Sequence, residues 1–240
     1  MLRVIKAECI KLRRSPIWLA FLLMPPISAL LGTINYSANI EILQSEWYSL
    51  WTQHTLFICY LILPLMLGIY CAYLMRLEYN NKNWNKVLTL PIPIYKIFLG
   101  KVAAAFFMLV ISQVWIGILF IISGRIVGLD SPLPSQMLVW LVGGVLGGTV
   151  IIAMQLLLSA VINSFALPVG IALGGSISGI AALAKGFGNV YPYSLMAYGM
   201  NSNSPQEFDI STYPIFILIC IVYTVLFSAV GSIYLAKRDN

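Results

Sequence analysis

The sequence predicts an all-α polytopic membrane protein with six transmembrane helices and both termini cytoplasmic. Three observations predict it. Sixty per cent of the 240 residues are hydrophobic and nine per cent are charged, where a soluble domain carries roughly a quarter charged residues. Six apolar runs are long enough to cross about 30 Å of hydrocarbon. The basic residues alternate sides: of fourteen Lys and Arg, five precede the first span, five lie in the stretch Arg76–Lys101 that leads from span two into span three, and two end the chain. Only Arg125 and Lys185 then fall outside, the distribution that the positive-inside rule requires. The net charge of +6 thus bears on topology, and no nucleic-acid partner is expected. Residues 1–240 read as one transmembrane domain.

Residues 1–15 read as an interfacial helix. Leu2, Ile5, Cys9 and Leu12 share one helical face, while Arg3, Lys6, Arg13 and Arg14 lie on the other side with Glu8 and Lys11 flanking. That pattern suits a helix lying flat against membrane lipid. The competing reading is the basic leader of a signal peptide. It is disfavoured by the length of the amphipathic part and the lack of an obvious small-residue cleavage site. Ser15-Pro16 ends this helix, and span one follows over Ile17–Tyr36, with Pro25 and Pro26 expected to kink it. The outer loop 37–53 holds Glu41 and Glu46. Span two is expected over about His54–Met75, with His54, the one histidine, an interfacial residue at its outer mouth.

Residues 76–96 form the cytoplasmic connector, the largest on that side. Leu77, Trp84 and Leu88 fall loosely on one helical face. The Pro91-Ile92-Pro93 step breaks that helix, and a second one restarts at Pro93 and runs into span three. A plain basic loop is the alternative. Span three is expected over about Ile97–Ile122. Spans four (about Gln136–Ile162) and five (about Phe165–Ala184) are joined only by Asn163-Ser164, so they make an antiparallel hairpin. Their small-xxx-small pairs (Gly143/Gly147, Gly144/Gly148, Gly170/Gly174, Gly175/Gly179) are expected to pack that hairpin, with a seam between protomers as the alternative. Residues 185–213 form an outer segment. Within it Val190–Met200 is too short to span and reads as a partly re-entrant or interfacial helix, with Tyr191, Tyr193 and Tyr198 in the aromatic belt. Span six is expected over about Pro214–Ala236.

Several chemistries have no carrier here. No G-x-x-x-x-G-K-[ST] phosphate cradle occurs. The four cysteines contain no C-x-x-C pair, so neither a disulfide framework nor a metal site is indicated. The span interiors contain no charge relay that would mark a proton path. Gln113 and Gln155 are their main polar groups, read as hydrogen-bonding between helices, with substrate contact as the alternative. No catalytic, cofactor or metal site is assigned to this chain.

The parts together resemble the type-2 ABC exporter permeases. Glu78, Trp84 and Leu88, Leu90-Pro91 and Gly100-Lys101 are similar to that family's E…L..P……GK pattern, although an Asn-rich run follows the glutamate and the family's Ser-Arg after the proline is missing. Lys6-Ala7-Glu8-x-x-Lys11-x-x-Arg14 and LEYNNKNW look like permeases of lantibiotic self-protection exporters. The resemblance implies that two copies of an ABC ATPase, holding ATP and Mg, dock on gate and coupling helices formed by Glu78, Trp84, Leu88, Pro91, Pro93 and Tyr95. It implies a second permease subunit, the same chain or a related one, an amphipathic peptide substrate, and a bacterial plasma membrane. Glu78 is expected to pair with a basic group of the ATPase or of the N-terminal helix, and Glu78→Gln to stop transport without harming folding. A permease for a drug, lipid or polysaccharide and an assembly factor remain the alternatives.

Overall fold

A computed structural model describes residues 2–13, 15–79, 92–202, 204, 206 and 210–238, with backbone alone at residues 2, 3, 12, 13, 210 and 238. Trp84, Leu88, Pro91 and Arg14 lie outside the described residues, as do the side chains of Arg3 and Arg13.

The regular secondary structure of the described residues is all helical, without strands. Helix α1 (Leu2–Arg13) is followed by α2 (Ile17–Ala38), α3 (Glu46–Phe57) and α4 (Leu63–Tyr79). Next come α5 (Ile94–Ile126), α6 (Met137–Val161), α7 (Ala166–Ala184), the short α8 (Leu195–Gly199) and α9 (Tyr213–Arg238). One π-helical turn, Ile58–Ile62, joins α3 to α4, so Glu46–Tyr79 is a single spanning helix of 34 residues. With α2, α5, α6, α7 and α9 it makes six helices long and apolar enough to cross a membrane. The six-span architecture is therefore present.

Its helices outrun the hydropathy boundaries. Span two starts at Glu46 rather than about His54, and at 34 residues it is about 50 Å long. The reason is an aromatic face that a hydropathy window discounts because polar residues are interleaved with it. Trp47, Leu50 and Trp51 recur at helical spacing and are buried. Trp51 stacks on Trp140 with centroids 5.2 Å apart and meets Phe120 edge-on at 4.9 Å. The earlier start also corrects the reading of His54. It is buried within the span, its Nε2 3.1 Å from Thr33 Oγ1 and its ring edge-on to Phe120. The restart after the connector is as expected to within a residue: Pro93 stands at the N-cap of α5. Pro25 and Pro26 lie inside α2, whose helix continues through both.

Helix α6 is the centre of the bundle and packs against α4, α5, α8 and α9. The expected glycine packing of the α6–α7 hairpin is overturned, because these two neighbours barely touch. Gly143, Gly144, Gly147, Gly175 and Gly179 instead admit residues 193–200, and Gly148 meets Leu109 of α5. A Cβ at Gly143 would lie 2.6 Å from the Gly199 carbonyl carbon, one at Gly147 2.6 Å from Leu195 O, and one at Gly144 2.7 Å from Met200 Cγ. On α7, Gly175 faces the Tyr193 ring and Gly179 the Tyr193–Ser194 backbone, whereas Gly170 and Gly174 face open space. A short loop fixes antiparallel order, but contact goes to whichever neighbour fills the groove.

Candidate functional site

Four charged side chains meet where α1, α4 and α5 converge. On α1, Val4, Glu8 and Lys11 follow one another at i, i+4 and i+7 and so lie on one face. Glu8 on that face is buried, while Lys6, Cys9 and Ile10 are exposed. The face that docks is therefore the one that carries Glu8, with Cys9 outside it. Gly100 of α5 permits the approach, since a Cβ there would stand 2.6 Å from Val4 Cγ1. The next residue, Lys101, is fully buried.

The cluster satisfies its charges internally. Lys101 Nζ donates to Glu78 Oε1 at 2.7 Å, to Glu8 Oε2 at 3.1 Å and to the Leu74 carbonyl at 3.1 Å, which uses all three ammonium hydrogens. Lys11 Nζ donates to Glu8 Oε1 at 2.7 Å and to Glu78 Oε1 at 2.5 Å. Two ammonium groups thus alternate with two carboxylates. Burial opposes the Lys11 charge, but the carboxylates of Glu8 and Glu78 outweigh it and hold its pKa above the usual 10.5. A buried ion pair persists only when its remaining lone pairs and protons are also bonded, and Leu74 O completes that requirement for Lys101.

Glu78 therefore pairs with the N-terminal helix, the second of the two partners expected for it. At 3 % exposure it sits inside the bundle, which changes the expected outcome of Glu78→Gln. Removing a carboxylate that neutralises two ammonium groups should lower folded yield as well as any activity. Pro93 and Tyr95 lie at the start of α5 with Tyr95 half exposed, and Lys6 is exposed on α1.

A second set of polar contacts holds residues 193–202 in place. Gln155 Nε2 donates to Tyr193 OH at 2.7 Å, and Gln113 Nε2 to Met200 Sδ at 3.4 Å. Both glutamines thus reach residues 193–200 rather than a neighbouring span. Tyr193 is buried, away from the aromatic belt expected for it. The π-turn belongs to the same set. Tyr60 OH lies 2.9 Å from Ser202 Oγ, and Ser176 of α7 donates to the Tyr60 carbonyl at 2.5 Å. A π-turn disturbs the helical ladder, and a hydroxyl from the neighbouring helix meets one of its carbonyls.

The sequence placed Glu8, Lys11 and Lys101 in family-like patterns but assigned them no partners. Two signals point to them: a lone glutamate in an otherwise basic helix, and a lysine following a glycine within an apolar run. Both stretches fall within residues 4–179, which match the family model described as ABC-2 family transporter protein. The chain belongs to that family. As an ABC-2 protein it is the permease part of a transporter that works with an ABC ATPase. No curated protein matches the chain. The matched stretch runs from α1 into α7 and so contains the whole charge cluster and both ends of the connector.

Proposed function

We propose that this ABC-2 permease forms half of the membrane part of an ATP-driven exporter that expels a lantibiotic or similar amphipathic peptide, protecting the cell that makes it. Both termini and the connector face the cytoplasm of a bacterium, and a second permease completes the pore. Two ATPase subunits dock on the connector and supply ATP and Mg. This chain neither binds nor hydrolyses nucleotide. The lantibiotic-like N-terminal and LEYNNKNW stretches support the substrate class, and the acidic outer residues Glu41 and Glu46 suit a cationic ligand.

The observation that carries the reading is the charge cluster. Helix α4 ends at Tyr79, just after Glu78, α5 starts at Ile94, two turns before Lys101, and both charged residues bond Glu8 of α1 or its neighbour Lys11. A push received anywhere between them reaches α1 through charge-assisted hydrogen bonds, which are stronger than neutral ones. Pro93 holds a non-helical backbone (φ −58, ψ 136) ahead of α5, so the docking segment meets the spanning helix at a fixed bend.

Two measurements test it. Photo-crosslinkers at Ile92, Ile94 and Tyr95 should capture the ATPase subunit, and Pro91→Ala with Pro93→Ala should lose protection against the peptide while keeping membrane levels. Full protection by that variant, with no ATPase captured, would reduce the connector to a loop. Topology is checked by cysteines placed singly at positions 46 and 96 after the four native cysteines are removed. An impermeant thiol reagent added to intact cells should modify position 46 and spare 96; the reverse pattern overturns the orientation.

A further inference from the structure

At the same end of the bundle, on the side of α4 away from the cluster, lies a cavity of about 530 Å³. Arg76 and Tyr79 of α4 line it, with Ser159 of α6 and Asn163, Ser164 and Phe165 of the α6–α7 turn. Arg76 is two residues from Glu78, and residues so spaced on a helix face different ways. Glu78 is spent on the two lysines, so no carboxylate lines the cavity among the described residues. Its one cation there, Arg76, has no hydrogen-bond or carboxylate partner among them.

The guanidinium lies 5.5 Å from the Phe165 ring centroid, over its face. Stacking occupies a guanidinium's face and leaves its in-plane N–H groups free to donate in the fork that matches a phosphate. Ser159 also lines the cavity; it is 4 % exposed and its hydroxyl is buried without a hydrogen-bond partner. A helical serine hydroxyl commonly bonds the carbonyl one turn back; this one does not. An orphaned buried hydroxyl carries a desolvation cost that a ligand oxygen would relieve. Ser164 Oγ accepts from Leu167 N at 3.4 Å, which leaves its own hydrogen to donate.

We propose that this cavity binds the phosphate of an anionic phospholipid headgroup, held by Arg76 and Ser159. The volume is in the range of small-ligand sites, and the groups offered are donors, as an anion needs. The surroundings select a lipid rather than a soluble anion. Phe165 and Ile162 line the cavity, and Phe165 with the chain neighbours Val161 and Leu167 is 37 %, 43 % and 55 % exposed, an apolar stretch against which acyl chains can lie. Basic pockets between spanning helices at the inner leaflet recognise headgroups by this chemistry. The site is independent of the exported substrate.

The test uses the full chain in nanodiscs of mixed phosphatidylglycerol and phosphatidylcholine, with the lipids retained after detergent extraction counted by mass spectrometry. Wild type should retain phosphatidylglycerol selectively. Arg76→Gln should lower that enrichment about tenfold, the loss expected for one hydrogen bond to a charged group. Ser159→Ala, which removes a single atom and keeps the fold, should lower it about fivefold. Lys185→Gln, an exposed charge at the far end of α7 from Phe165, should leave it unchanged. Equal retention of both lipids by wild type, or undiminished enrichment in Ser159→Ala, overturns the site. Displacement of the retained lipid by millimolar inorganic phosphate overturns the lipid as its ligand.

Discussion

Lys101→Met should be the most damaging single substitution outside the aromatic core. The ammonium is fully buried and neutralises Glu8 and Glu78 at once. Methionine fits the space but leaves two buried carboxylates facing Lys11 alone. Breaking a buried ion pair by removing one partner costs about 3–5 kcal/mol, because the surviving charge keeps its desolvation cost and loses its compensation. Purified variant and wild type compared by thermal unfolding in one detergent should differ by that order, and the variant's membrane level should fall. A second variant separates charge balance from packing. Lys101→Met with Glu78→Gln removes one charge of each sign and leaves Glu8 to Lys11, so it should recover most of the loss. Contacts within one network are coupled, and such a pair should be strongly non-additive. If Lys101→Met unfolds at the wild-type temperature, the four residues are a surface pair network and do not clamp α1.

Gly147→Val should detach the outer segment from the bundle. The Cβ would stand 2.6 Å from Leu195 O, against the peptide that opens α8. The obstacle is backbone on both sides, so no side chain can swing aside to relieve it. Overpacking costs about 1–3 kcal/mol where side chains can shift, and more is expected here because α8 must move bodily. That movement would take Tyr193 from Gln155 and Met200 from Gln113. The comparison is Gly170→Ala on α7, where a Cβ meets nothing within 4 Å. It should be neutral or gain up to about 1 kcal/mol from the higher helix propensity of alanine. Protease sensitivity of residues 185–200, read beside thermal unfolding, distinguishes local detachment from global loss. Equal stability of the two variants would mean that the glycines of α6 are not what seats the outer segment.

The sequence by itself determined that the chain is a six-span helical protein, where most spans lie, and that a bend at Pro93 precedes the third. These follow from local properties: transfer free energy summed along a run of residues, and the missing N–H of proline. Family resemblance was legible for the same reason, since Glu78, Pro91 and Gly100-Lys101 form a pattern along the chain. Tertiary structure alone decided partners. Glu8 looked like a flanking charge and Lys101 like one more basic residue of a connector, yet they are 3.1 Å apart across 93 positions of sequence. The glycines of α6 have the spacing of a helix–helix seam, and spacing does not say which surface arrives. Here α8 and Met200 arrive at Gly143, Gly144 and Gly147, and Leu109 of α5 at Gly148, in place of the adjoining helix α7. Span two was cut short for a related reason: Trp47 and Trp51 extend it by packing on Phe120 and Trp140, an interaction that no hydropathy window contains. Local terms decide which residues become helix. The identity of a buried neighbour depends on contacts made across the whole chain, and these exist only once it has folded.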